Sequence, residues 1–171
     1  PHLESIAHNR HFLPEIARRL GTCFFTKDLR LDAASLNSFV ENPAKLLGDI
    51  IAELDRPSYS ALALLFMRAG RIEIPVSMLP DEEEALRLLG VKLSQVRDAC
   101  HALEGTLVTS AIEHGCRYWK FRHPSIRDAI GASVAAQPDL IDIYLSGAKA
   151  DDIVAEVVCG EVSFQGAKVH I

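Results

Sequence analysis

The sequence predicts a mainly α fold: a small helical group, then helices interrupted by a two-stranded hairpin, then further short helices. Three observations carry this. Leu, Ala and Ile dominate a chain of 171 residues that is 49% hydrophobic but only 6% aromatic, a balance that favours helix-on-helix packing. Apolar residues recur at helical spacing through most of the chain, punctuated by Pro and Gly. One stretch, Thr106 to His123, alternates instead and is broken by His114-Gly115, the pattern of a hairpin.

The first segment, "NRHFLPEIARRLGT", places Leu13, Ile16, Ala17 and Leu20 on one helical face, with Pro14 near the first turn and Gly21 as the stop. "SLNSFVENPAKLLGDIIAELDRP" follows with Leu36, Phe39 and Val40. A new helix then starts at Pro43 and buries Leu46, Leu47, Ile50, Ile51 and Leu54. Pro57 ends it and opens "PSYSALALLFMRAG" at the N1 position. The apolar residues of that helix, Leu62, Leu64, Leu65, Phe66 and Met67, run nearly all round, which places it at the centre of the core.

"RIEIPV", Arg71 to Val76, reads as a short strand. "PDEEEALRLLGV" is a short helix, and its acidic first turn, Asp81 to Glu84, complements the helix dipole as a solvated start. "LSQVRDACHALEG" follows with Ser94 as N-cap, Val96, Ala99, Cys100 and Leu103 facing inward, and Gly105 as stop. The hairpin pairs "TLVTSAIE" with "CRYWKFRH" and turns Leu107, Ile112, Trp119 and Phe121 to its apolar side. "PSIRDAIGASVAA" carries an Ile126, Ala129, Ile130, Val134 stripe. "PDLIDIYLSG" and "KADDIVAEVVCG" are short helices on either side of Gly147. From Pro57 to Ala136 the order is therefore helix, short strand, two helices, two-stranded wing, helix, which is the winged-helix arrangement. The expected domains are a helical segment over 1–56, a winged-helix domain over 57–136 and a C-terminal helical linker or start of a repeat region over 137–171. The chain is expected to be an excised piece of something longer.

Composition and motifs weigh against several classes. The net charge of −5 argues against broad contact with phosphate backbones. Cys23, Cys100, Cys116 and Cys159 are scattered, with no C-x-x-C pair and no zinc-ligand spacing, and read as thiols of a reducing compartment. No apolar run reaches a membrane span and no signal peptide opens the chain, so the expected location is cytoplasmic. There is no glycine-rich loop ending in Lys-Ser/Thr, no G-x-S-x-G and no H-E-x-x-H. The adjacent Asp151 and Asp152 read as solvated carboxylates on a helix surface. The chain by itself is expected to be no enzyme and to hold no cofactor.

The stretch "FRHPSIRD" sets His123 between the second hairpin strand and a proline-started helix, flanked by Arg122 and Arg127. Either the ring packs at the junction and donates to a backbone carbonyl, or it is aimed at an anion, which the N–H groups and dipole of a helix start favour. "YWKFRHPSIRDAIGASVA", after a wing and opening a helix, resembles the regulatory arm of signal-transduction NTPases with numerous domains, the STAND class. In that class the His of a Met-His-Asp motif contacts the β-phosphate of bound ADP and holds the protein closed. Here Arg122 stands in place of the Met and Pro124 in place of the Asp. "FRHPSIRD" with "PDLIDIYLSG…VVCG" looks more specifically like the bacterial novel STAND NTPase 3 group. "NRHFLPEIARRL" is similar to the Asn-Pro-Arg-type start of the AAA+ lid helix, departing from it at His11 and in lacking its proline; Arg10 would then be the lid arginine.

The resemblance covers roughly Asn9 to Gly160 and makes 1–56 lid-like. It implies a regulatory module that senses nucleotide state through His123 and Arg10, with Arg122 and Arg127 in support. The expected partner is the NTPase core of the same chain, which would bind ATP or ADP with Mg in the intact protein, and the role is antiphage defence. A further protein partner is expected at the C-terminal helices. Two alternatives stand beside this reading: a DNA-binding winged-helix regulator using Gln95, Arg97 and His101 with wing cations Arg117, Lys120 and Arg122, and a plain protein-interaction module.

Overall fold

A computed structural model describes residues 2–27, 29–30, 32–158 and 169–170, with the side chains of 2, 3, 5, 155, 156, 158, 169 and 170 left aside. Within these, the chain is mainly helical with a small antiparallel sheet. It forms two compact units, Pro1–Ile50 and Ile51–Ile171.

The first unit contains α1 (His2–Ala7), α2 (Pro14–Leu20), α3 (Cys23–Thr26), α4 (Ala33–Glu41) and most of α5 (Pro43–Ala52). The helix α4 starts where Asp32 accepts the Ser35 N–H at 2.8 Å, an N-cap that satisfies one orphan amide. Leu36, Phe39 and Val40 are buried as the spacing predicts, as is Leu47 of α5. The helix α2 differs from expectation. Leu13 is 58% exposed and Ala17 is exposed, while Ile16 and the charged Arg19 are buried. Arg19 can face inward because Glu15 sits one turn before it at 2.9 Å and the Phe25 ring lies 5.7 Å from its guanidinium.

The second unit has α6 (Arg56–Met67) at its centre, buried continuously from Ser60 to Met67. Asp55 caps α6 by accepting the Ser58 N–H at 2.8 Å, so the helix opens one residue before Pro57. Then come β1 (Arg71–Ile74), α7 (Pro80–Leu88), α8 (Leu93–Leu103), β2 (Val108–Glu113), β3 (Cys116–Phe121) and α9 (Pro124–Ala135). The sheet order is β1-β3-β2, antiparallel throughout, with Ile72 opposite Trp119 and Trp119 opposite Ser110. The element order and this sheet make a winged-helix unit. The hairpin turns at His114 (φ 52°) and Gly115 (φ 81°), the paired left-handed conformation of a tight two-residue turn.

Pairing puts Ile112 on the same face as Trp119, yet Ile112 is 75% exposed, against the expectation of burial. It lies at the wing tip, opposite Arg117, where the buried residues Val108, Trp119 and Ile72 no longer reach. Ser94 is likewise not the cap of α8. The helix starts two residues earlier, with Lys92 at the N-cap position and its N–H held by Gln95 Oε1 at 2.9 Å.

Beyond α9 lie α10 (Pro138–Gly147) and α11 (Ala150–Glu156), followed by a two-residue strand β4 (Val157–Val158) parallel to β5 (Val169–His170). α10 packs on α7 and α9, with Tyr144 buried and its ring 5.2 Å from that of Phe66. Cys159 and Gly160, expected at the end of the last helix, lie outside the described residues. No helix among the described residues is long and apolar enough to cross a membrane.

Candidate functional site

The wing delivers His123 to the start of α9. β3 ends at Phe121, and the Arg122 N–H closes onto Leu107 O at 3.0 Å. His123 follows in extended backbone (φ −147°, ψ 144°), the geometry of a helix N-cap. Pro124 occupies the first helical position, where its missing N–H is no loss. The first free amide of α9 is therefore that of Ser125, and His123 Nδ1 accepts it at 3.2 Å, with Ser125 Oγ 2.8 Å from the same nitrogen. The imidazole is half-buried. Of the two roles weighed from sequence, a junction residue that donates to a carbonyl is replaced by a cap that accepts an amide.

The neighbouring cations point elsewhere. Arg122 donates to Gly105 O at 2.7 Å and so ties the wing to the end of α8. Arg127, one turn into α9, is half-buried, and its charge acts on the buried Tyr144 phenol. Burial pushes that phenol above its ordinary range, Asp152 adds to the push and Arg127 opposes it. Arg10 belongs to the first unit, exposed in the turn before α2, where its Nε donates to His11 Nε2 at 3.0 Å. The Asn9 amide beside it reaches Glu41 at 3.2 Å.

The wing and α8 offer a different balance from the one a phosphate backbone needs. Lys120 Nζ lies 2.6 Å and Arg71 Nη1 3.1 Å from the Glu113 carboxylate. Lys120 first, then Arg71, holds that carboxyl below its ordinary value. Arg97 pairs with Asp98 at 3.6 Å. His101 sits edge-on to Trp119 at 4.9 Å and faces Glu104 at 3.9 Å.

One buried ionic contact runs against the sequence pattern. Glu82, taken from sequence as part of a solvated acidic start, is 2% exposed. Arg68 at the end of α6 grips it through both Nε (2.6 Å) and Nη2, and Glu82 also accepts the Leu79 N–H at 2.8 Å. The signal was there in outline: Glu three residues after the N-cap is the capping position, and it alone of the acidic run turns inward. Beside this pair a cleft of about 450 Å³ is lined by Arg71, Glu73, Tyr118, Lys149, Asp151 and Asp152. Asp151 is exposed and Asp152 half-buried on its rim.

Cys100 is buried, and burial alone pushes its thiol up to about 12, so it is inert packing. Cys23 and Cys116 are exposed. Among the described residues no group of three His, Cys, Asp or Glu side chains is placed to hold a metal ion. No family model, no curated protein and no solved structure matches the chain.

Proposed function

We propose that this chain is the regulatory arm, lid plus winged-helix unit, of a larger STAND-type NTPase, and that His123 is its nucleotide-sensing contact. The observation that supports this reading most is the placement of His123. It is the N-cap of the helix that follows the wing, its ring only half-buried and its Nδ1 committed to the helix. The phosphate would be that of ADP held with Mg by an NTPase core preceding this chain, and Arg10 would read the same nucleotide from the lid-like segment. Arg122 and Arg127 act on the arm itself, since each is engaged with neighbouring elements. The intact protein would be cytoplasmic and, as the resemblance implies, would serve in defence against phage.

The mechanism is a population shift. A contact made only in the closed, ADP-bound arrangement favours that arrangement by its differential energy. A hydrogen bond to a charged acceptor contributes about 1.5–3 kcal/mol, which is about 10- to 100-fold in an equilibrium. The full-length protein is expected to be purified with ADP bound, and His123→Ala to lose most of it, as read by quantifying nucleotide released on acid precipitation. Equal ADP content in the two proteins would refute the assignment. Lys120 of the wing shares the Glu113 carboxylate with Arg71 and Arg122 is tied to Gly105 O, so the isolated chain is expected not to shift duplex DNA, and salt-dependent binding there would favour the DNA-regulator reading instead.

A further inference from the structure

The bond that caps α9 also decides what His123 presents outward. A backbone N–H can only donate, so with Ser125 N 3.2 Å from Nδ1 the lone pair of that nitrogen faces the helix. The Ser125 hydroxyl, 2.8 Å from the same nitrogen, then donates to it as well. A neutral ring held this way carries its proton on Nε2. Pro124 contributes no N–H to compete, and the extended backbone at His123 fixes the ring's root.

We propose that Ser125 is the positioning residue of this site: through its amide and its hydroxyl it locks His123 into the Nε2–H tautomer, with that N–H as the one donor the neutral ring turns away from α9. The inference rests on the reading of His123 as a nucleotide contact for its use. The ring geometry itself does not depend on that reading. It makes the sensor a preset neutral donor, so the arm offers an acceptor oxygen a directed hydrogen bond without first reorganising the ring.

Long-range proton–nitrogen correlation spectra of the ¹⁵N-labelled 171-residue chain at neutral pH test this, with His114, exposed at the wing tip, as the internal reference. The expected result is about a tenfold excess of the Nε2–H over the Nδ1–H form at His123. A scalar coupling across the hydrogen bond should also link the Ser125 amide nitrogen to His123 Nδ1. Ser125→Thr is expected to keep that excess. Ser125→Ala is expected to lower it about threefold, since the amide donor remains. A protonated Nδ1, a His114-like mixture in the unsubstituted chain, or identical spectra for the two variants would overturn the proposal. If the ring shows the expected tautomer while ADP binding ignores His123, the functional reading fails and the positioning role stands.

Discussion

At the residue scale, Glu82 and Glu84 show how position within one acidic run decides worth. Glu84 pairs with Arg87 on the surface, with 51% and 70% of the two side chains exposed, where solvent and salt screen most of the attraction. Glu82, two residues earlier, is buried against Arg68 and carries a second bond to the Leu79 amide. Removing one member of a buried pair strands the other charge, at about 3–5 kcal/mol. Glu82→Gln is therefore expected to lower the urea midpoint read by Trp119, the only tryptophan, far more than Glu84→Gln. Equal midpoints would contradict the burial. Glu15 gives a pH dependence. The Arg18 bond, offset by partial burial and joined by Arg19, lowers its pKa from 4.5 to about 2. A depressed folded pKa means stabilisation that is fully present above 4.5 and lost as pH falls through about 2. Glu15→Gln is expected to remove that acid limb from the helical signal of α2, followed by NMR. An unchanged limb would place the sensitivity elsewhere.

At the element scale, packing limits what α10 can tolerate. A Cβ added to Gly147 would come within 2.8 Å of both Ala85 Cβ on α7 and Met67 Sδ on α6. Gly147→Ala is expected to destabilise by about 1–3 kcal/mol through overpacking, and adding Ala85→Gly to recover part of it. A neutral Gly147→Ala would show that α10 sits more loosely on its neighbours. Helices and hairpin were legible in the sequence because apolar period and turn residues report local geometry, and α4, α6, α9 and the His114-Gly115 turn all follow from them. What was not legible depended on partners distant along the chain. The burial of Arg19 needs Phe25, that of Glu82 needs Arg68, and Ile112 is exposed because the sheet outruns the core rather than because its alternation fails. Short elements escaped too, since α1 and α3 span six and four residues, too few for a period to show. His123 itself could be singled out from its place in the chain, but its engagement through Nδ1 could not, because that follows from Pro124 leaving Ser125 as the first donor.

At the scale of the whole molecule, the second unit is a winged-helix body in which Lys120 and Arg122 of the wing bond to Glu113 and to Gly105 O of the same unit, and whose α9 is capped by a histidine. That combination suits an arm that presses on another protein surface better than one that grips a phosphate backbone. The measurement closest to this claim is the ADP release rate of the full-length protein, compared with that of His123→Asn. Asparagine is among the best N-caps, so its Oδ1 is expected to take over the Ser125 amide and keep α9 intact, while its Nδ2, on a shorter side chain, falls short of the place the imidazole Nε2–H reaches. Release about 10- to 100-fold faster, at an unchanged thermal midpoint, is the result expected. Release at the unsubstituted rate from an equally stable protein would contradict the account.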